Sequence, residues 1–430
     1  MTAKPANWAG NVTFGAERFR RPASVPQLQR LVARSKRARA LGTGHSFNRL
    51  ADTPGDLVCV AGLPRLIEVD AAAGAVTVSA GLTYGEVAMA LHRAGRALPN
   101  LASLPHISVA GACATGTHGS GDGNGSLATA VSAVEMVTVD GDLVTAGRDT
   151  DPARFPGTVV ALGALGIVTR LTLDTVPAFD VRQYVYEDLA AGQVLEHFEE
   201  IFSSAYSVSL FTDWRGPRIR QAWLKRRADA PDAGTPGPVW MGGRRADGPR
   251  HPVPGLSPAA CTEQLAVPGP WHERLPHFRP EFIPSAGDEL QSEYLLPRAH
   301  AADALAALQP AAGRLAPVVR TSEIRTIAAD DLWLSPAYQR DSVGFHFTWI
   351  KDWAAVAPAL ALVEERLAPL RARPHWGKLF GTSPETVRGL YPRWDDFRRL
   401  MHRYDAAGKF RNDLLDRYFP PEAQTREGVP

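Results

Sequence analysis

Apolar residues first recur at Leu28, Leu31 and Val32, one face of a 3.6-residue period, and Lys36 and Arg37 follow where cations suit a helix C-terminus. That spacing predicts a helix from Pro26. Arg39 to Leu41, Leu57 to Val60, Leu66 to Val69 and Ala75 to Ala80 read as short strands, punctuated by Gly62-Leu63-Pro64 and Ala73-Gly74. Thr83 and Glu86 form a capping box ahead of a helix carrying Val87, Leu91 and Ala94, and Gly95 ends it. Ala133 to Val139 and Asp142 to Thr145 make a hairpin about Asp140-Gly141. From Gly166 to Val176, Ile167, Leu171 and Leu173 alternate with Arg170, Thr172 and Asp174, a half-buried strand that Pro177 closes.

Beyond Pro177 the spacing loosens. Strand-like runs stand at Ser207 to Phe211, Gln221 to Lys225, Asp288 to Leu295, Ser322 to Ile327 and Ser342 to Ile350. Two helical patterns, His300 to Leu315 and Trp353 to Arg373, would cover one face of an antiparallel sheet. The Pro-, Gly- and Arg-rich stretch from Arg227 to Pro258 reads as a surface excursion. At 430 residues more than one core is expected, and a first domain boundary is placed at Pro177.

Alternation also sorts the candidate chemistry. In Val343 to Trp349, Phe345, Phe347 and Trp349 share one face, and His346 and Thr348 the other. Glu323 and Arg325 share a face of the run that holds Ile324, and Gln291 lies in a third strand. As neighbours in one sheet they would form a polar floor over an apolar back, suited to a ligand with many hydroxyls. Pro374-His375-Trp376-Gly377-Lys378 adds a lysine after a rigid turn. Desolvated beside Arg325, Lys378 would have a depressed pKa and could act as a base.

Two glycine clusters precede that region. Leu41-Gly42-Thr43-Gly44-His45-Ser46-Phe47-Asn48 offers a backbone nest for an anion, with a nucleophilic imidazole beside it. Ser108 to Ser126 carries Gly111, Gly116, Gly119, Gly121, Gly123 and Gly125 behind the apolar run Ser103 to Val109, and is expected to help cradle a cofactor. No Gly-x-Gly-x-x-Gly occurs, no Gly-Lys is followed by Ser or Thr, and His272-Glu273 has its next histidine at His277, past Pro276, which breaks the two-turn zinc spacing. Gly44-His45-Ser46-Phe47-Asn48 misses the hydrolase elbow, with Asn48 where the second glycine belongs.

Composition changes this picture little. Hydrophobic residues make 45% and charged ones 21%, an ordinary globular balance, and Lys plus Arg exceeds Asp plus Glu by 47 − 45 = 2, which gives no field for nucleic acid or anionic lipid. No apolar run reaches membrane-spanning length, and Met1 to Phe14 does not resemble a signal peptide. Cys59, Cys113 and Cys261 are odd in number and widely spaced, against a disulfide framework and toward a reducing cytoplasm.

Gly42 to Phe47, the Ser108–Gly121 loop and Gly408-Lys409-Phe410-Arg411-Asn412 together resemble the vanillyl-alcohol-oxidase-type flavoproteins. Asn7-Trp8-Ala9-Gly10-Asn11, Ser103 to Gly111, Thr321 to Thr326, His346 to Trp349 and Pro374 to Lys378 resemble that superfamily's aldonolactone-oxidoreductase group, in its alditol-oxidising (xylitol and sorbitol oxidase) branch. The resemblance runs from Asn7 to Asn412, with Thr43 where serine is common and Asp405-Ala406 where Asp-Pro is usual. It implies an α+β, two-domain PCMH-type fold: an FAD-binding domain (1–177), an antiparallel-sheet cap covered by helices (178–379), and a C-terminal segment (380–430) returning to the first domain. It implies FAD joined through its 8α-methyl group to His45. Gly42, Thr43, Gly44, His45, Ser46, Ser103, Ser108, Gly111, Thr115, Gly116, Thr117, His118, Ile167 and Val168 are the implied cofactor contacts. Ser103, Gln291, Glu323, Arg325, His346, Thr348 and Lys378 would line the polyol pocket. The implied reaction oxidises a terminal alcohol to the aldehyde and reduces O2 to H2O2. Arg325 and Lys378 would hold the reacting hydroxyl, with Lys378 as proton acceptor and His346 as the alternate. A cytoplasmic monomer without metal is expected. The rival readings are a lactone dehydrogenase of the same superfamily that uses another electron acceptor, a serine hydrolase using Ser46, and an inert sugar-binding module.

Overall fold

The computed structural model describes residues 5–230, 237–282 and 287–421; residues 231–236 of the Arg227–Pro258 stretch lie outside it. Helix α1 (Val25–Arg34) starts where the Ser24 side chain accepts the Gln27 N–H, and it buries Leu28 and Val32. It packs beside a parallel three-stranded sheet of β1 (Arg18–Arg20), β2 (Ala38–Leu41) and β3 (Asp56–Cys59), with β3 central. A five-stranded antiparallel sheet follows, in the order β4 (Ile67–Asp70), β5 (Ala75–Ser79), β8 (Ile167–Asp174), β6 (Val131–Val137) and β7 (Leu143–Gly147). The Thr83–Glu86 capping box opens α2 (Tyr84–Arg93), and Gly95 at φ +69 leaves it. Short α3 (Val109–Ala114) is the only regular element inside the second glycine cluster.

A ten-stranded antiparallel sheet holds the later strands. Its centre runs β9 (Asp180–Ala190), β11 (Arg218–Arg227), β10 (Ser207–Thr212), β13 (Val319–Ile327), β14 (Ser342–Trp349) and β12 (Leu290–Pro297), with short pieces at both edges. Helices α4 (Ala301–Leu308) and α5 (Trp353–Leu367) cover one face, packing Ala304, Leu308, Ala359 and Val363 against Ile324, Phe345, Phe347 and Trp349. The apolar back expected from alternation is therefore present. Strand β9 is an element that periodicity missed. Both its faces are covered, Tyr184 and Tyr186 by one core and Val185 by Phe211 and Trp223 on the other side, so its sequence shows no in–out alternation.

The C-terminal stretch, including α6 (Trp394–Tyr404), adds Trp376, Trp394, Phe397 and Phe419 to the core that holds Val76, Val87 and Val134. Buried Arg39 ties the same regions together, donating to Gly163 O at 2.9 Å and Phe410 O at 2.8 Å, and Asn412 donates to Asp52 O at 2.8 Å.

Candidate active site

The turn after β2 is pinned from two directions. Trp8 N–H donates to Gly44 O at 2.8 Å and Asn7 to Ser46 O at 2.9 Å. On the other side Phe47 N–H donates to Gly377 O at 2.8 Å, while the Asn48 amide donates to Trp376 O at 2.7 Å and Lys378 O at 2.8 Å. Asn48, which spoils the hydrolase elbow, thus fixes the backbone of the lysine segment. Gly44 takes φ +72, a conformation a side chain would strain.

His45 stacks on Trp8 with centroids 5.1 Å apart, and its Nδ1 lies 3.0 Å from Thr43 Oγ1. Burial, aided by His106, pulls its pKa to about 4, so at neutral pH the ring keeps a free lone pair. Ser108 N–H donates to Thr43 Oγ1 at 3.1 Å, joining the two glycine clusters. A Cβ on Gly42 would come within 2.1 Å of Ser108 Oγ and 3.1 Å of its Cβ, and one on Gly111 within 2.7 Å of the same hydroxyl, so the Ser108 side chain packs into the space both glycines leave open. Between these loops and the ten-stranded sheet lies one continuous cavity, lined by Gly42 to Asn48, Ser103, Ser108, Gly111, Thr115, Thr117, His118 and Val168. A cavity whose wall combines the glycine turns at Gly42, Gly44 and Gly111 with hydroxyl side chains and a neutral imidazole fits a flavin dinucleotide.

Two implied cofactor residues stand elsewhere. The Ile167 side chain is turned into the core with Leu28, Val32 and Val137; Gly166 and Val168, its neighbours in a period-two strand, line the cavity instead. Gly116, at φ +67, faces Pro336 rather than the cavity. The second half of the glycine loop has another use. Gly121 N–H donates to Thr326 O at 2.9 Å, Thr326 Oγ1 donates to Asp122 at 2.7 Å, and Asn124 donates to Tyr206 O at 3.1 Å, stitching the loop to the large sheet.

The cavity's far wall is that sheet. Register sets Gln291 opposite Thr348, and His346 between Glu293 and Glu323 on its two neighbouring strands. Lys378 Nζ donates to Glu293 Oε2 at 2.6 Å and to His346 Nδ1 at 2.7 Å, which leaves the His346 proton on Nε2, 3.0 Å from Thr348 Oγ1. Arg325 Nη2 donates to Glu293 Oε1 at 2.7 Å, and His118 Nε2 stands 3.3 Å from the same oxygen. Arg325 Nε is buried without a hydrogen-bond partner, 3.6 Å from Glu323. Gln291 donates to Glu289, and the Ser103 carbonyl accepts His277 N–H at 3.0 Å.

Electrostatics follow the geometry. Burial alone would push the Glu293 carboxyl up, but Lys378, His118 and Arg325 outweigh it and hold it well below the usual range. Burial lowers the Lys378 pKa; Glu293 opposes and Arg325 assists. Burial, with Lys378 beside it, keeps His346 neutral. Ser46 has no hydrogen-bonded histidine among the described residues, which leaves the hydrolase reading without its base.

Glu293, 1% exposed, is the residue the sequence reading passed over, although it follows Gln291 by two on the same strand face. His251, Pro252, Val253 and Leu256 were missed as well. They belong to the stretch expected to be a surface excursion, yet they wall the cavity. No local pattern in a Pro-rich loop announces such a contact. Among the described residues no group of three metal-binding side chains occurs, and no helix is long and apolar enough to cross a membrane.

Residues 16–147 match the family model described as FAD binding domain, and residues 288–418 the one described as D-arabinono-1,4-lactone oxidase. The chain is 51% identical over 423 residues to an alditol oxidase from a Streptomyces species, covering 97% of this chain and 100% of that one. It is 28% identical over 438 residues to the L-gulono-1,4-lactone dehydrogenase of Mycobacterium tuberculosis, covering 97% and 99%. Among solved structures, a cholesterol oxidase from B. sterolicum has a TM-score of 0.77 at 14% identity, covering 97% of each chain, a likeness of fold alone. The chain belongs to the alditol oxidase family, in the aldonolactone-oxidoreductase group of the vanillyl-alcohol-oxidase-type fold, and FAD is its cofactor.

Proposed function

We propose that the protein oxidises the terminal primary alcohol of an alditol such as xylitol or sorbitol to the aldehyde, with O2 reduced to H2O2. The observation that carries this reading is the cluster of Lys378, Glu293, Arg325, His346 and Thr348, which faces the His45 turn across one cavity. The 51% identical alditol oxidase supports it. Held by the two glycine loops, FAD would supply the hydride acceptor and the two-electron route to dioxygen. Our assignment has His45 carry it covalently, the neutral imidazole being the nucleophile. Lys378 Nζ receives the hydroxyl proton, its basicity set by burial against Glu293. Arg325 holds the developing oxyanion. Glu323, Thr348, Gln291 and Ser103 hold the remaining hydroxyls, which fixes the reacting carbon. The division into 1–177, 178–379 and 380–430 belongs to the same proposal.

An oxygen electrode with xylitol or sorbitol tests the reaction, and a denaturing gel under ultraviolet light tests the tether. Oxygen uptake with peroxide formation and a fluorescent band are expected. Dye reduction without oxygen uptake would reassign the electron acceptor. A dark band from flavin-replete cells would remove the covalent role from His45.

A further inference from the structure

A second line of buried polar groups reaches the cavity from behind. Lys225, in β11 and 1% exposed, directs its Nζ at three acceptors: Leu275 O, Pro276 O at 3.2 Å and His277 Nδ1 at 3.0 Å. An ammonium has three N–H donors, so this set accounts for all of them and leaves Nδ1 as an acceptor. The His277 proton then sits on Nε2, which donates to Glu323 Oε1 at 2.8 Å. The other carboxylate oxygen takes no hydrogen bond from the described residues.

The imidazole is clamped as well as bonded. Trp223 and Phe211 meet it edge-on at 5.1 and 5.6 Å, while the His277 backbone N–H donates to Ser103 O and its carbonyl accepts from Thr262 N–H. Burial and Lys225 pull the His277 pKa to about 4, so the ring is neutral at working pH. Lys225 faces Glu323, Cys261, Arg325 and His277; burial draws its own pKa to about 7, so the ammonium form prevails at pH 6.

We propose that Lys225 and His277 are positioning residues for polyol selection. Together they fix one tautomer of His277, which holds Glu323 as an anion with Oε1 spent, so that a substrate hydroxyl meets only Oε2. The pocket then demands a hydroxyl donor at the carbon that Glu323 reaches, and a chain lacking it leaves a buried anion unpaired. The inference rests on the polyol reading above.

Two measurements test it, on the flavin-loaded protein at pH 6. Histidine 15N NMR reads the tautomer without substrate: His277 protonated on Nε2 in the parent, with that assignment lost in Lys225→Met, is expected. A parent signal protonated on Nδ1 overturns the proposal whether or not xylitol is turned over. Anaerobic flavin reduction supplies the second readout. His277→Leu is expected to raise the half-saturating xylitol concentration about 10-fold or more, the worth of one charge-assisted hydrogen bond, with the limiting rate nearly kept. The parent's preference for xylitol over 1,2-pentanediol, which lacks the further hydroxyls, should collapse. His277→Gln, which keeps a donor, should recover both. Unchanged half-saturation in His277→Leu, or a Gln variant no better than Leu, would sink the assignment. A parent inactive toward every polyol would instead sink the reading in the preceding section.

Discussion

Lys378 Nζ is shared between an anion and a neutral ring, Glu293 at 2.6 Å and His346 at 2.7 Å. A base in that position must release a proton that Glu293 attracts. Lys378→Ala removes the proposed proton acceptor without touching the Asn48 bond to the backbone, so flavin content should stay normal while anaerobic reduction slows by about 100-fold or more, the usual loss for an acid–base group. Glu293→Gln acts by sign. The carboxylate raises the Lys378 pKa, so its removal lowers that pKa further, and a base that works above its pKa becomes active at lower pH. The acid limb of the pH profile for flavin reduction should therefore move down; an unmoved limb would take Lys378 out of the role. Much of this site was legible because β13 and β14 have one covered face, and period-two alternation separates Glu323, Arg325, His346 and Thr348 from Ile324, Phe345 and Phe347. Glu293 obeys the same rule. His277 obeys none, because its bond to Glu323 joins residues 46 apart through a loop without period.

Among the elements, start and stop signals mark a boundary as alternation marks a face. Helix α2 has its capping box and glycine exit, and the hairpin of β6 and β7 turns at Gly141 with φ +89. β9 had no such marks, and sheathing on both sides erased its alternation. The first glycine turn makes a demand that a substitution can measure. Gly42→Ala puts a methyl group 2.1 Å from Ser108 Oγ and 3.1 Å from its Cβ, so the serine must swing out of its place or the loops part. Flavin absorbance per protein should fall sharply, and adding Ser108→Gly, which removes the opposing oxygen, should restore much of it. Full flavin loading in the single variant would show that the loops need not touch.

Taken whole, the molecule buries imidazoles that an unfolded chain would expose. His277 and His375 are drawn to about 4 and about 3, and His346 also lies well below its ordinary range, burial being the first cause in each. Unfolded histidine titrates near about 6.5, so below that pH the unfolded chain binds more protons and stability falls. Glu293 and Glu323, both held below the ordinary carboxylate range, extend the loss to lower pH, while Asp330, raised to about 6 by burial, opposes it. The melting temperature of the flavin-free protein should drop steadily from neutrality to about pH 4, within the titration range of these groups. A flat curve would mean that the rings are not neutral when folded.

The seams described above carry one more consequence. The peptide of His45 and the peptide of Lys378 are spliced by Phe47 and Asn48, and the glycine loop is stitched to the sheet at Gly121, Asp122 and Asn124. A hinge between the two halves would have to tear both joints in every cycle. Substrate is therefore expected to enter a ready-made chamber, and turnover should proceed in a crystal without cracking it.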